Sequence, residues 1–287
     1  MKIGIIGNGF VGSATALLEC IDISIIMYDI NPNLCNPPNT TLKDICNCDL
    51  IFISVPTPMN KNGSCHINIL ESVVHNISQI KSTNELLLIN RCTVPVNTSN
   101  DLNCYYMPEF LTEKNFKSDF INNPEWIFGL RNSSTDIVFK EKITELINTA
   151  YKNKCINSNK IHFVDNNEAE MIKLFRNTFL STKISFCNEI YKFCQSQNIS
   201  YENVRKLATN DSRIGSSHTN VPGHDGFFGY GGTCFPKDTN SLYFQMKKKN
   251  LNSYIIKSTI ERNEIVDRPQ HDWKSNVNRA VIQEAED

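Results

Sequence analysis

The sequence predicts an α/β protein: a Rossmann-type parallel-sheet domain, then a long connecting helix and a smaller helical domain. Three observations carry that expectation. A glycine-rich turn lies between two apolar runs near the N-terminus, further apolar runs alternate with helical stretches to about residue 165, and the stretch from Asn166 to about Gln197 holds neither Gly nor Pro. Alternating strands and helices favour a parallel sheet with crossover helices. An uninterrupted periodic stretch favours one long rod.

Lys2–Ile6 is a short apolar run ending in Gly7-Asn8-Gly9-Phe10-Val11-Gly12, and a helical pattern follows through Ala14, Leu17 and Leu18. Ser24 to Asp29 reads as a second strand. Strand, GxGxxG, helix, strand and Asp is the dinucleotide-binding arrangement in its required order. The glycines allow a tight turn and close approach of a pyrophosphate to the helix N-terminus. Gly7, Gly9, Phe10, Val11 and Gly12 are therefore candidate cofactor residues. Asp29 is placed to take the ribose hydroxyls and would repel the extra phosphate of NADP, so NAD is the expected cofactor. Strands are expected at Leu50–Ser54, Leu86–Asn90, Cys104–Met107, Trp126–Gly129 and Ile161–Val164. Between Asp29 and Leu50 the chain is short and rich in Asn and Pro.

The long helix is capped by Asn166 or Asn167, with Glu168 and Glu170 in its first turn as the helix dipole favours. Ala169, Ile172, Phe175, Phe179, Ile190 and Phe193 supply its apolar positions, and its length is about 45 Å. The expected domains are residues 1–165, an NAD-binding domain; 166–266, a central helical domain; and 267–287, a polar, weakly patterned tail.

The chain has 287 residues and a formal net charge of −1, which gives no sign of a nucleic-acid partner. No apolar run reaches the roughly 18 residues of a membrane span, and Lys2–Gly7 is too short for a signal peptide. The eleven cysteines form no C-x-x-C pairs, and the six histidines show no metal-ligand spacing near them. No metal is expected, and the cysteines read as buried small hydrophobes of a reducing cytoplasm.

Chemistry concentrates in Gly229-Tyr230-Gly231-Gly232-Thr233-Cys234-Phe235-Pro236-Lys237-Asp238. A helix beginning at Phe235 or Pro236 carries Pro where its missing N–H costs nothing. Cys234 then sits at the helix N-terminus, where the dipole favours thiolate over thiol. Lys237 adds positive charge. Asp238, four residues on, is close enough to exchange protons with what Cys234 holds, or serves only as an N-terminal helix charge. Lys173 and Asn177 are spaced to share a helix face. By residue type alone they read as a solvated face, although Met171, Leu174 and Phe175 beside them are apolar. Glu109 and Glu113 form a second four-apart pair.

The 229–238 segment resembles the active-site signature of the UDP-glucose/GDP-mannose dehydrogenases, Gly-x-Gly-Gly-x-Cys-[Phe/Leu]-Pro-Lys-Asp, at every fixed position. Further motifs resemble the same family in the same order. Val55-Pro56-Thr57-Pro58 is similar to its cofactor loop. Cys92-Thr93-Val94-Pro95-Val96-Asn97-Thr98 is similar to its Ser-Thr-Val-Pro-x-Gly-Thr loop, with Cys92 for Ser and Asn97 for Gly. Asn is the best non-glycine resident of the left-handed region, so the turn is expected to survive. Pro108-Glu109-Phe110-Leu111-Thr112-Glu113 matches Pro-Glu-Phe-Leu-x-Glu, and Glu170, Lys173 and Asn177 match Glu-x-x-Lys-x-x-x-Asn.

The resemblance implies two-step oxidation of a nucleotide sugar at C6 by NAD. Cys234 would attack the intermediate aldehyde to give a thiohemiacetal and then a thioester, and water would release the uronic acid. Lys173 and Asn177 would hold the developing oxyanion, and Glu113, or a network held by Thr93 and Asp238, would activate the water. Val55, Pro56, Thr57 and Thr93 would contact the cofactor. Glu109, Phe110, Leu111, Glu113, Gly229, Tyr230 and Gly231 would contact the substrate, and Arg213, whose planar fork suits a diphosphate, would bind its anion. UDP-glucose is the first expected substrate. The alternatives are a UDP-N-acetylhexosamine, GDP-mannose, or a non-catalytic NAD-binding scaffold. The resemblance also implies a homodimer through the long helix and, in relatives, a third domain over the nucleotide. Without it, the Ser216–Phe228 loop or a dimer partner is expected to hold the uridine, with weaker substrate binding.

Overall fold

The computed structural model describes residues 1–283. Its strands are β1 (Lys2–Ile6), β2 (Ser24–Tyr28), β3 (Leu50–Ile53), β4 (Leu88–Asn90), β5 (Tyr105–Tyr106), β6 (Trp126–Leu130) and β7 (Ile161–Asp165). Its helices are α1 (Phe10–Thr15), α2 (Leu42–Ile45), α3 (Asn68–Ser78), α4 (Thr98–Asp101), α5 (Phe116–Ile121), α6 (Asp136–Lys152), α7 (Asn166–Ser196), α8 (Tyr201–Ala208), α9 (Phe235–Lys248) and α10 (Tyr254–Arg262). The chain forms two compact units: Met1–Thr57 with Ile67–Lys173, and Pro58–His66 with Leu174 onward.

The first unit is built on one seven-stranded sheet in the order β2-β1-β3-β4-β5-β6-β7. Both faces are covered. Along β3, Leu50 and Phe52 enter one apolar cluster with Ile3, Ile5 and Phe128, while Ile51 and Ile53 enter the other with Leu88 and Tyr106. This two-sided burial explains why the strands read as continuous apolar runs rather than alternating ones. All neighbours are parallel except β5 and β6, which pair antiparallel at Tyr106 and Gly129. The six-residue α5 between them spans only about 9 Å, too short to carry the chain back for a parallel crossover. The 17-residue α6 does provide that return before β7.

Helix α7 starts at Asn166, but Asp165 caps it: its Oδ1 accepts from Asn167 N at 2.8 Å while Glu168 Oε2 accepts from Asp165 N at 3.0 Å. The two bonds are reciprocal, as in a capping box, but the Asp165 side chain meets the N–H at N2 rather than N3. This pairing frees the fully buried Asn166 to donate to Asn100 Oδ1 and to the Cys104 carbonyl. Asn166 or Asn167 was expected to cap the helix; Asn166 instead seats it against the sheet unit, and Asn167 supplies an N–H to the Asp165 cap.

The second unit contains the helical chain from Leu174, with Cys187, Cys194 and Tyr201 as its apolar centre. The Tyr201 hydroxyl donates to the Thr219 carbonyl and ties α8 to the loop that follows it. The segment Pro58–His66 belongs here: Met59 N donates to Ala280 O, and Met59 O accepts from Ile282 N. The stretch after Asp267 therefore packs, with Trp273 and Ala280 buried; residues 284–287 of the expected tail lie outside the described residues. Among the described residues no helix is long and apolar enough to cross a membrane.

Candidate active site

In the first unit, the glycine turn joins β1 to α1. Gly7, at φ +90, closes the turn, and a Cβ on Gly12 would collide with the Gly7 carbonyl oxygen. Gly9 is exposed and has open space where a Cβ would stand, which leaves a side-chain-free cradle at the start of α1. Phe10 and Val11 lie in the first turn, both half-buried. Asp29 directly follows β2 and faces the same turn, its Oδ2 accepting from Asn8 N at 2.8 Å and its Oδ1 from Asn31 N at 2.9 Å. A bare glycine turn with a carboxylate fixed at the end of the second strand fits a dinucleotide whose ribose hydroxyls meet Asp29.

A hydrogen bond joins two further loops of this unit. The Thr57 hydroxyl donates to the Thr93 carbonyl at 2.8 Å, both residues being buried. Val55 is half-buried beside them and Pro56 is exposed. Asn97 adopts φ +81, the left-handed conformation that a glycine would take in its place. Its N–H and that of Ser99 both donate to Glu170, at 2.6 and 2.8 Å. Burial pushes the Glu170 carboxyl up to about 7 against those donors. The sequence placed Glu170 in the first helical turn and in the Glu-x-x-Lys-x-x-x-Asn motif, with no partner for its carboxylate. Its loop partners lie 71 and 73 residues away, and no local pattern announces them.

Glu109 and Lys173 form a buried ion pair. The ammonium donates to Glu109 Oε1 at 2.5 Å and to the Glu109 carbonyl at 2.8 Å, while Leu111 N donates to Oε2 at 2.9 Å. Burial pushes the Glu109 carboxyl up, but the Lys173 charge and its hydrogen bond outweigh this and hold it below the usual range. The Phe110 ring lies 5.8 Å from the ammonium. Leu111 is half-buried, and Glu113 is exposed. The two glutamates thus differ: Glu109 is an internal counter-ion and Glu113 is open to solvent.

In the second unit, Cys234 occupies the N-cap of α9, half-buried, with the Thr233 hydroxyl 3.7 Å from its sulfur and Pro236 in the first turn. Cys234 thus stands at a helix N-terminus, where the dipole favours thiolate, without a side-chain cap hydrogen bond. Beneath it runs a buried chain of charge. Lys237 donates to Asp238 Oδ1 at 2.6 Å and Asn177 to Asp238 Oδ2 at 2.6 Å. Asp238 is only 1% exposed. Burial pushes the Lys237 ammonium down, but Asp238, with the Cys234 and Cys65 thiols, outweighs it and holds the ammonium above its ordinary value.

Gly229 and Gly231 lead into this segment, with Tyr230 buried between them. Arg213 is not drawn into it: its guanidinium grips Asp211, two residues back, and its side chain is 87% exposed. Two braces escaped sequence reasoning. Asn263 accepts from Tyr230 N and donates to Tyr230 O, and Arg268 packs over Gly231. Among the described residues no group of His, Cys, Asp or Glu could hold a metal ion.

Two family models match the chain. The NAD binding domain of the UDP-glucose/GDP-mannose dehydrogenase family matches residues 38–153, and the central domain of the same family matches residues 167–265. Among curated relatives, the UDP-glucose 6-dehydrogenase YwqF of Bacillus subtilis is 30% identical over 92% of this chain and 66% of its own length. That of Campylobacter jejuni is 28% identical over 92% of this chain and 72% of its own, and that of Rickettsia bellii 28% identical over 77% and 50%. The chain thus spans between half and about three quarters of the length of these relatives. Among solved structures, a UDP-glucose dehydrogenase from Pyrobaculum islandicum superposes with a TM-score of 0.77 at 22% identity, covering 92% of this chain and 68% of that one. A GDP-mannose dehydrogenase from Pseudomonas aeruginosa gives 0.63 at 22% identity with the same coverage. At such identities the superpositions establish the fold.

Proposed function

The chain belongs to the UDP-glucose/GDP-mannose dehydrogenase family and its N-terminal unit is an NAD-binding domain, and on that premise we propose that it oxidises a nucleotide sugar at C6 to the uronic acid, with UDP-glucose as first substrate. The observation that carries this reading is Cys234 at the N-cap of α9, with Lys237, Asp238 and Asn177 in a buried chain behind it. Gly7, Gly9, Phe10, Val11 and Gly12, with Asp29 and the Val55–Thr57 and Thr93 loops, would hold NAD, which when bound accepts the two hydrides that the oxidation releases.

The protein's own residues supply the rest. The Cys234 thiolate, favoured by the helix N-terminus and the Lys237 charge, adds to the C6 aldehyde carbon. A C–S bond forms, and the carbonyl electron pair moves to oxygen. The family resemblance gives that oxygen to Lys173 and Asn177, an ammonium and an amide N–H being suited to hold it. Both donors are preset by carboxylates, Glu109 for Lys173 and Asp238 for Asn177. Asp238 has both oxygens engaged and is sealed from solvent, which favours it as an orienting charge. Glu113 is exposed, which favours it as the base for the hydrolytic water. Water adding to the thioester carbon gives its proton to Glu113, the C–S bond breaks, and Cys234 leaves as thiolate.

The same proposal includes a homodimer along α7. Phe175, Phe179, Phe186 and Phe193 are 58–63% exposed and follow one another at spacings of four, seven and seven. Such a stripe suits a helix seam between two copies. The cytoplasmic location, and a grip on uridine by the Ser216–Phe228 loop or by a dimer partner, are part of this reading. The decisive experiment follows NADH absorbance with UDP-glucose, UDP-N-acetylglucosamine and GDP-mannose. Reduction of NAD with UDP-glucose, at two NADH per sugar, is the expected result. Reduction with another sugar reassigns the substrate, and none with any sugar leaves the NAD-binding scaffold.

A further inference from the structure

We propose that Arg268 is the positioning residue of the Cys234 segment, clamping the glycine turn that leads into the cysteine and the loop that precedes it. Arg268 lies three residues beyond the matched central domain, which ends at 265, and composition alone assigned it to a polar tail. In the structure it is 2% exposed. Its Nη1 donates to Asp225 Oδ2 at 2.7 Å, in the loop before the turn. Its Nε and Nη2 donate to the two oxygens of Asp272 at 2.5 and 2.6 Å. Only the planar fork of arginine makes such a bidentate bond while keeping a third donor for a second carboxylate.

The flat face of the same guanidinium roofs Gly231. A Cβ there would stand 2.5 Å from Arg268 Cζ and 2.7 Å from Nη2. The Phe227 ring closes over the guanidinium, its centroid 5.1 Å away. One turn earlier, Asn263 meets both backbone polar groups of Tyr230, at 2.8 and 2.9 Å. The turn before Cys234 thus receives backbone hydrogen bonds from one side and a steric roof from the other. Arg268 fastens that roof to Asp225 and Asp272. Gly231 stands three residues before Cys234, so a shift in the roof moves the sulfur. The signature glycine at 231 is explained on the same terms, since any side chain would occupy the guanidinium's place.

This inference rests on the reading of Cys234 as nucleophile, and its test separates the two. Arg268→Lys, Arg268→Ala, Gly231→Ala and the Arg268→Ala/Gly231→Ala double variant are compared by the rate of Cys234 alkylation with iodoacetamide against pH, read at the peptide level by mass spectrometry, and by kcat and KM. Arg268→Lys, which keeps the charge, should displace the alkylation profile and lower kcat about 10-fold or more, with KM for NAD unchanged, since a 1 Å misplacement costs on the order of 10²-fold. Gly231→Ala alone should act similarly. Added to Arg268→Ala it should cost little, because the guanidinium it strikes is gone. A wild-type alkylation profile in Arg268→Lys, or losses that simply add in the double variant, would overturn the clamp. Absence of sugar oxidation by the wild type would sink the functional reading alone, because the alkylation series still decides the role of Arg268.

Discussion

The two buried ammonium–carboxylate pairs, Lys173 with Glu109 in the sheet unit and Lys237 with Asp238 in the helical unit, are assembled in opposite ways. Lys173 and Glu109 are 64 residues apart, and the second carboxylate oxygen is held locally by Leu111 N. Lys237 and Asp238 are adjacent, and the second oxygen is held by Asn177, 61 residues away. Adjacent residues on a helix do not ordinarily face each other. Here burial forces the pairing, because each charge lacks water and finds the other. A buried charge thus takes both a counter-ion and an anchor. Either can be local while the other is supplied by the fold.

The largest effect expected of any substitution is at the cysteine that the second pair sits beside. Cys234→Ala should abolish uronic acid formation, measured by following acid product chromatographically. An unimpaired variant would remove the cysteine from the mechanism and leave the Lys237–Asp238 pair without a chemical partner.

Breaking the pairs sharpens their difference. Lys173→Met and Lys237→Met should each cost about 3–5 kcal/mol, the usual penalty for stranding a buried charge. Adding Asp238→Asn to Lys237→Met should restore most of that loss, because the stranded charge disappears while Asn177 keeps a carbonyl to donate to. Urea unfolding midpoints measure both. A Lys237→Met variant as stable as the wild type would mean that this pair is solvated rather than buried.

The same contrast marks how much could be read from the sequence. The sheet, the glycine turn with Asp29, and the long helix were legible because each is written in contiguous residues: unbroken apolar runs for strands buried on both faces, a fixed glycine spacing for the turn, and a helical period without Gly or Pro for the rod. The half-sites Glu109-Phe110-Leu111, Lys173 and Cys234 to Asp238 were legible as short motifs. What was not legible is who meets whom. Asp165 rather than Asn166 caps α7, Glu170 anchors the Asn97 turn, and Arg268 roofs Gly231, all through tertiary packing that leaves no local pattern. Arg213 shows the converse: its type suggested an anion partner, and its Nε and Nη2 meet the carboxylate of Asp211, two residues away.

Glu170 supplies a third buried carboxylate, held by backbone N–H groups of Asn97 and Ser99 rather than by an ammonium, with Asp101 close enough to disfavour its charge. Burial raises it from 4.5 to about 7. A group whose native value lies above its unfolded one holds more protons in the native state between the two. Its contribution to stability is therefore full below about pH 4.5, declines as pH rises, and is lost above about pH 7, a change on the order of 3 kcal/mol. Glu109 and its ammonium should show no such decline, since that carboxyl is held below its ordinary value. Urea midpoints at about pH 5 and about pH 7.5 measure the slope. In Glu170→Gln the decline should vanish, at the cost of facing one backbone N–H with an amide donor. A decline that persists unchanged in Glu170→Gln would assign the titration to another group and remove the contrast between a carboxylate anchored by backbone and one anchored by charge.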